Sequence, residues 1–342
     1  MELGVVGMSS VQSKQDAVSR GVVRWAWLVA VISFFPIVMG SIVRVSGSGT
    51  GCGSAGGGSW PLCNGHFLPK PDTATLIEFS HRMFAILLTI AVVVFVIWSV
   101  RKYRNVAVLF WGSILTLLFL IVQIALGAIT VKLDLAGPLV FIHLANAEIL
   151  FGIAVATALG AGIVYRKGEG ISDAKPYRKR RLTVAIIAAV GTYLVIIAGS
   201  LVVNTPGAAG TCFSWPFCGT GLGFTIPSTG PAALSIFHRL LAGVVALFVG
   251  FVAGTAMGSH KADQRIKVSA MLVNVTLLLQ IIIGAIMAVM KMAPFWETLH
   301  LAFATLFWGS MVALLVGIWN QERLHDPETV GTHATAPQRS PA

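Results

Sequence analysis

The stretch EFSHRMFAILLTIAVVVFVIWSV, from Glu78 to Val100, decides the fold. Two charged residues and a histidine stand near its start, and residues 83–100 then carry no charge. An apolar run of this length is long enough to cross the hydrocarbon core of a bilayer as a helix. The stretch therefore predicts a transmembrane helix with polar residues at its entry.

Comparable runs recur along the whole chain. Only 11% of the 342 residues are charged and 56% are hydrophobic, whereas soluble domains carry about 25% charged residues. The pattern predicts an all-α membrane protein with eight transmembrane helices. The first run is too long for a secretory signal and no small-residue cleavage site follows it, so we interpret it as a retained span. The spans are expected at 25–44, 76–99, 106–130, 139–164, 183–203, 232–257, 268–290 and 295–319.

Lysine and arginine concentrate in alternate loops. They are frequent before the first span and after the second, fourth and sixth spans, and the opposite loops hold only Arg44, Lys70, Lys132 and Lys291. The positive-inside rule then places both termini in the cytoplasm, in a multi-pass protein of the cell membrane. The net charge of +11 reflects this topology. We expect no nucleic-acid partner, because the positive charges sit in short loops between spans.

The chain contains an internal repeat of four spans. GSIVRVSGSG (Gly40–Gly49) resembles GSLVVNTPGA (Gly199–Ala208), and QIALGAI at 123–129 resembles QIIIGAI at 280–286. One offset of 157 residues relates three landmark pairs, which are His81 with His238, Gln123 with Gln280, and His143 with His300. An even number of spans per repeat predicts two tandem four-helix bundles related by a pseudo-two-fold axis along the membrane normal.

This repeat divides the chain into five parts. We expect a cytoplasmic tail at 1–24, an N-terminal half at 25–164, a basic cytoplasmic linker at 165–182, a C-terminal half at 183–320 and a polar cytoplasmic tail at 321–342. The last segment is rich in Pro, Thr, His and Ala, a composition typical of disorder.

Four histidines repeat and four do not. His66, His260, His325 and His333 fall in loops or the tail, where we expect solvated side chains. The repeated four, near the outer ends of the even-numbered spans, are His81, His143, His238 and His300. A single such histidine would be explained by a hydrogen bond between helices. Two per half, at equal depth, favour the axial ligation of a haem iron in each half. Zinc would need three or four clustered ligands.

Charged residues surround these histidines unequally in the two halves. Arg82 and Arg239 each follow a histidine and are candidates for binding a haem propionate, although an arginine snorkelling to the interface is the alternative. Glu78 precedes His81 by three residues on the same helical face, whereas Ser235 holds the matching position. We therefore expect a reactive site in the N-terminal half and an electron carrier in the C-terminal half.

Two further glutamates lie within the spans. Glu297 precedes His300 by three residues, with Val140 at the matching position, and is expected to orient that histidine. Glu148 follows His143 by five residues, and we expect it to form a hydrogen bond inside the bundle.

The four cysteines fall in two outer loops. Cys52 and Cys63 lie in the first, and Cys212 and Cys218 lie in the third. The outer compartment permits disulfides, and one pair per loop is the favoured connectivity among the three that four cysteines allow. The pairs serve either as structural staples or in redox chemistry.

Taken together, the repeated spans, the paired histidines, the EFSH motif and the cysteine pairs resemble the haem A synthase family, over about residues 24–319. The resemblance implies oxidation of the C8 methyl group of haem O by successive water-derived hydroxylations, giving haem A. It implies that His81 and His143 bind the substrate haem O, that His238 and His300 bind a permanent haem b, and that Glu78 is the essential glutamate. The cysteine pairs match the family members that carry both loops.

Two other functions fit parts of this pattern. A di-haem electron-transfer protein like a cytochrome b561 would bind both haems permanently and give the Glu78 asymmetry no role. A haem transporter would display a tryptophan-rich outer segment, and tryptophans are few here. As partners we expect haem O, membrane lipid and an electron acceptor. A homo-oligomer and a complex with haem O synthase are compatible with the family, and no residue indicates either.

Overall fold

The computed structural model describes residues 18–53, 62–69, 71–167, 179–218, 230–260 and 262–323. It confirms the prediction of an all-α membrane protein, because eight helices are each long and apolar enough to cross a membrane. In the described part of the chain no β-strand occurs beyond an isolated bridge between Cys63 and His66. The helices are α1 (Arg20–Val45), α2 (Thr73–Lys102), α3 (Ala107–Lys132), α4 (Gly137–Lys167), α5 (Lys179–Asn204), α6 (Gly230–Met257), α7 (Gln264–Val289) and α8 (Pro294–Arg323).

Most helices run a few residues beyond the spans expected from hydropathy. Polar caps explain two of the starts, because Asp72 accepts a hydrogen bond from the Thr75 amide at 3.1 Å and Asp263 accepts one from the Ile266 amide at 2.9 Å. The capping side chain accepts hydrogen bonds from backbone amides in the first turn of the helix. The helix can therefore begin several residues before the apolar run.

Three helix ends also differ from the predicted domain boundaries. Helix α4 continues to Lys167 and α5 begins at Lys179, so helices take both ends of the predicted linker at 165–182. Helix α8 continues to Arg323, beyond the predicted boundary at residue 320. The rest of the linker, 168–178, and the tail after 323 lie outside the described residues, as do His325 and His333.

Each half forms a ring of four helices. Helix α1 packs against α2 and α4, and α3 packs against the same two helices; α5 to α8 repeat this arrangement. The N-terminal half has a core that includes Val22, Phe95 and Leu109, and the C-terminal half has one that includes Ile266 and Met311. In each ring the even-numbered helices, which carry the repeated histidines, are separated by the odd-numbered ones.

The outer surface of the bundles is strongly apolar. On α6, Val244, Leu247 and Phe251 are 68%, 80% and 68% exposed. These residues follow helical spacing along one face. An apolar face of this kind is suited to contact with lipid tails and not with water.

The two halves meet where α1 and α4 of the first half pack against α8 and α5 of the second, and α4 also packs on α8. A Cβ atom on Gly152 would lie 2.9 Å from Nε1 of Trp308, and one on Gly309 would lie 3.0 Å from the ring of Phe151. These four residues are two repeat-related pairs, so each half places an aromatic ring against a glycine of the other. Reciprocal contacts are what a two-fold relation generates.

We predict that Gly152→Val destabilises the protein by about 1–3 kcal/mol, because the added side chain overpacks the contact with Trp308. Thermal unfolding in detergent micelles measures the effect. Gly243→Val is the control, since Gly243 is exposed on α6 and a Cβ there has nothing within 4 Å. Equal unfolding midpoints for the two variants would contradict the packing described for α4 and α8.

Candidate functional site

Each repeated histidine packs against a glycine of the preceding helix. A Cβ atom built on the glycine would lie within 3.4 Å of Cε1 of the imidazole in all four cases. The pairs are Gly40 with His81, Gly127 with His143, Gly199 with His238, and Gly284 with His300. At Gly127, Gly199 and Gly284 this distance is 3.1, 2.9 and 2.8 Å, so a larger residue there would force the ring or the helix to move.

The four imidazoles share an unmet hydrogen-bonding requirement. Among the described residues, the buried Nδ1 atom has no hydrogen-bond partner in His81, His143, His238 and His300. A buried polar atom without a partner is costly in an apolar interior. The rings of His81 and His143 interact electrostatically, and so do those of His238 and His300. Each half therefore brings together two imidazoles that can still accept a ligand.

Glutamines hold one histidine of each pair. The side-chain nitrogen of Gln123 lies 3.2 Å from Nε2 of His143, and that of Gln280 lies 3.2 Å from Nε2 of His300. From the sequence these glutamines were only landmarks of the repeat. The same offset of 157 residues relates the two glutamines and the histidine pairs, and this was the signal that could have linked each glutamine to a histidine.

The donor set fits a haem iron better than a closed zinc site. Across the described residues, no group of three or more His, Cys, Asp or Glu side chains is placed to hold a metal ion. Two histidines on the non-neighbouring even helices of a ring can face one centre from opposite sides, which is the axial arrangement of a six-coordinate haem. The residues present thus fit haem in both halves.

The site in the first half is more polar than that in the second. Asn146 donates to Oε1 of Gln123 at 2.7 Å, whereas the matching position is Phe303, and Oε1 of Gln280 has no partner in the described part of the chain. Glu78, which is 3% exposed, also has no acidic counterpart in the second half. The asymmetry expected from Glu78 and Ser235 is therefore extended by a further pair, Asn146 and Phe303, which was not predicted from the sequence.

Glu78 connects α2 to the first cysteine loop. Its Oε1 accepts from Arg82 at 2.6 Å, and its Oε2 accepts from the backbone amide of Cys52 at 2.8 Å. Arg82 also donates to the carbonyl of Leu62 at 2.7 Å. Charge-assisted hydrogen bonds such as these fix the orientation of the carboxyl group.

Arg239 is the counterpart of Arg82 in the second half, and it contacts the second cysteine loop. It donates to the carbonyls of Cys212 at 2.7 Å and Ser214 at 2.6 Å, while Ser235 donates to the carbonyl of Ala208 at 2.6 Å. Both arginines thus bind loop carbonyls. Binding of a haem propionate by Arg82 or Arg239 stays a prediction. It requires guanidinium N–H groups that are not already used in the contacts with the loop carbonyls.

Both cysteine loops are closed by disulfides within the loop, Cys52–Cys63 and Cys212–Cys218, and the cysteines are buried. The Thr75 hydroxyl shares its one proton between the Gly51 carbonyl, at 2.8 Å, and the Asp72 carboxylate, and so ties the first loop to the start of α2. Hydrogen bonds from the Thr75 side chain and amide also hold the pKa of Asp72 below its usual value.

Glu297 does not take the role expected for it. Its carboxylate forms an ion pair with Arg44 of α1, and the Nδ1 atom of His300 stays without a partner among the described residues. The guanidinium from the other half supplies a full positive charge, which a neutral imidazole does not. The neighbouring Ser41 and Thr298 hydroxyls lie 3.4 Å apart, so this cluster joins the two halves.

The expected solvated loop histidines, His66 and His260, are exposed.

The fold and the site define a multi-pass membrane protein with a two-histidine site in each four-helix half. The chain belongs to the COX15-CtaA family of cytochrome oxidase assembly proteins, whose profile it matches over residues 23–312.

Several curated relatives cover most of the chain. It is 26% identical over 298 residues to a protein of Lysinibacillus sphaericus named Heme A synthase, covering 86% of this chain and 94% of that protein. A Heme A synthase of Symbiobacterium thermophilum is 29% identical, over 81% of this chain and 89% of that protein. One of Halalkalibacterium halodurans is 31% identical, over 64% of this chain and 70% of that protein.

We predict that Arg239→Gln accelerates amide hydrogen exchange in the second cysteine loop, residues 212–218, by about tenfold or more. Each hydrogen bond to a charged group contributes about 1.5–3 kcal/mol, and tenfold corresponds to about 1.4 kcal/mol. Hydrogen-exchange mass spectrometry gives the rates. Arg104→Gln, at an exposed arginine between α2 and α3, should leave them unchanged. Unaltered loop exchange in the Arg239 variant would show that the arginine does not hold the loop.

Proposed function

We propose that the chain is a haem A synthase, which oxidises the C8 methyl group of haem O to the formyl group of haem A. The observation that carries this proposal is the set of four buried imidazole nitrogens that lack a partner in the described part of the chain, two in each half and each packed on a glycine. Membership of the family and relatives named Heme A synthase support it.

The first half is the substrate site and the second half is the cofactor site in this proposal. His81 and His143 would hold the iron of haem O, and His238 and His300 would hold that of haem b. The polar residues Glu78 and Asn146 support the assignment, since a reacting centre needs polar groups nearby and an electron carrier does not. The apolar helix faces would accept the farnesyl tail of haem O.

The chemistry requires removal of both electrons and protons. When bound, the haem groups supply the redox chemistry. Oxidation of a methyl group with oxygen from water releases protons as well as electrons, so the substrate site needs a proton acceptor or a negative charge. Glu78 would serve either by accepting a proton or by stabilising positive charge that develops on the substrate carbon. Arg82 and the Cys52 amide orient its carboxylate for both roles.

The same proposal includes the topology. Both termini would lie in the cytoplasm and both cysteine loops on the outer face of the cell membrane, where disulfides persist. The two halves, residues 25–164 and 183–320, would be related by a pseudo-two-fold axis along the membrane normal. The reciprocal contacts between α4 and α8 support that relation.

A di-haem electron carrier is the alternative candidate function. One observation favours it, because Glu78 is occupied by Arg82 and by the loop amide and so has a structural role without any catalysis. In such a carrier both haems would be permanent and chemically unchanged.

We predict that Glu78→Gln abolishes haem A formation and causes haem O or its hydroxylated intermediate to accumulate. The amide keeps the size of the side chain but loses the negative charge that the reaction needs. The variant and the wild-type protein are purified from cells that make haem O, and the extracted haems are separated by chromatography.

Glu297→Gln is the matched control for this experiment, because it also removes one carboxylate paired with an arginine. It should still yield haem A. If wild type and Glu78→Gln contain only haem b in equal amounts, the synthase proposal fails and the electron carrier replaces it.

We further predict that Gly284→Val lowers haem b content at least severalfold, because a Cβ there lies 2.8 Å from Cε1 of His300 and displaces the ring. Gly127→Val should instead reduce the haem held by His143, whose Cε1 would lie 3.1 Å from the new Cβ. Quantitative haem extraction measures both. Gly254→Val is the control and should keep both haems, because a Cβ at Gly254 has nothing within 4 Å. Loss of haem in all three variants would show that Gly127 and Gly284 have no specific role in holding the histidines.

A further inference from the structure

Another glutamate is more deeply buried than Glu78 and has fewer partners. Glu148 on α4 is 0% exposed. Its Oε1 accepts a hydrogen bond from the Thr305 hydroxyl at 2.7 Å, and its Oε2 has no hydrogen-bond partner among the residues that the structure describes. Its backbone carbonyl accepts from Nε1 of Trp308 at 2.8 Å, which fixes α4 against α8 at this point.

This carboxyl group lies between the two histidine sites. Glu148 follows His143 by five residues on α4, and Thr305 follows His300 by five on α8. At 1.5 Å per residue, each is about 7.5 Å along its helix from the histidine. Glu148 and Thr305 are also 157 residues apart and therefore occupy matching positions of the repeat. The hydrogen bond joins the two helices that each contribute one histidine of a different half.

Within the described helices, the elements around Glu148 provide no cation at its depth. Helices α1 and α3 carry charges only near their ends, at Arg20, Arg24, Arg44 and Lys132. Within its apolar stretch α5 offers only Tyr193, which interacts electrostatically with Glu148 and donates to the Ala145 carbonyl at 3.1 Å. Apart from Glu148 itself and the histidines, the titratable groups that the structure describes on α4 and α8 lie near the helix ends, at Tyr165, Arg166 and Glu297. The ion pairs found among the described residues do not include Glu148.

Whether a carboxyl group in such surroundings is ionised depends on the charges of groups outside its immediate contacts. Burial of an unpaired negative charge is costly, so the group holds a proton when its surroundings are neutral. Additional positive charge nearby favours release of that proton, because opposite charges interact strongly in a medium of low polarisability. The groups that would change their charge on either side are the metal centres held by the two histidine pairs.

We propose that Glu148 is a redox-linked proton-binding group shared by the two haem sites. It binds a proton when an electron arrives at a neighbouring iron and releases the proton when the electron leaves. The electrons come from the methyl group that is oxidised and leave one at a time to the external electron acceptor. While one electron resides on either iron, the single proton that the carboxylate can hold offsets its negative charge. This inference rests on the proposed haem-binding function.

Redox-triggered infrared difference spectroscopy on the purified holoprotein tests the proposal. Wild type should show a carbonyl stretching band of a protonated carboxylic acid that changes between the oxidised and reduced states. Glu148→Gln should lose this band, and the midpoint potentials should lose part of their dependence on pH. Glu297→Gln should keep the band, because its carboxylate is paired with Arg44.

Thr305→Val provides an independent test on a variant that keeps the carboxyl group. Removing the donated hydrogen bond should shift the band to higher frequency without abolishing it. A merely structural carboxyl group that stays protonated would at most shift its band, without the gain of intensity on reduction that proton binding produces. If Glu148→Gln fails to fold, the frequency shift in the Thr305 variant still tests whether the band belongs to Glu148.

The outcomes separate this inference from the proposed function. Haem content is measured first, and a chain that binds no haem overturns both. If both haems are present and change redox state, but wild type shows no carboxylic acid band or Glu148→Gln retains it, the role of Glu148 is overturned while the haem sites stand.

Discussion

The structure depends on the packing of four imidazole rings against four glycines inside an apolar bundle. In each case the glycine lets two helices approach closely, and the ring between them keeps a buried Nδ1 atom without a partner in the described part of the chain. Water cannot satisfy that nitrogen within the hydrocarbon core of a membrane. The haem iron proposed to bind between two such rings would explain why a membrane protein retains them at this cost. The ring of four helices in each half positions these histidines.

The two halves share one framework but differ in the polar groups around their histidines. Each has the histidine pair, the glutamine contact and an arginine that anchors a disulfide loop. The first half adds Glu78 and Asn146, while the second has Ser235 and Phe303 at those positions. A duplicated electron carrier would explain the shared parts, and the added polar groups are what a reaction would require. The hydrogen bond between Thr305 and Glu148 lies where the two halves meet.

The sequence predicted the elements with strong local or periodic signals. Long charge-free runs predicted the eight helices, and one constant offset picked out the histidine pairs. Helix ends were less accurate, because capping by Asp72 and Asp263 depends on single polar residues outside the apolar run. The partner of Glu297 could not be predicted, since Arg44 lies 253 residues away and reaches it only through the packing of α1 on α8. The contacts of Arg82 and Arg239 with loop carbonyls likewise depend on how the loops fold over the helices.

The pairing of the histidines is the central claim, and single substitutions with haem analysis test it most directly. Each of His81, His143, His238 and His300 is changed to alanine, and haem type and content are measured by extraction together with reduced-minus-oxidised spectra. We expect His81→Ala and His143→Ala to lose the same haem and keep the other, whereas His238→Ala and His300→Ala should show the opposite pattern. Loss of one common haem on substitution of histidines from both halves, or no loss from any of the four, would contradict this pairing.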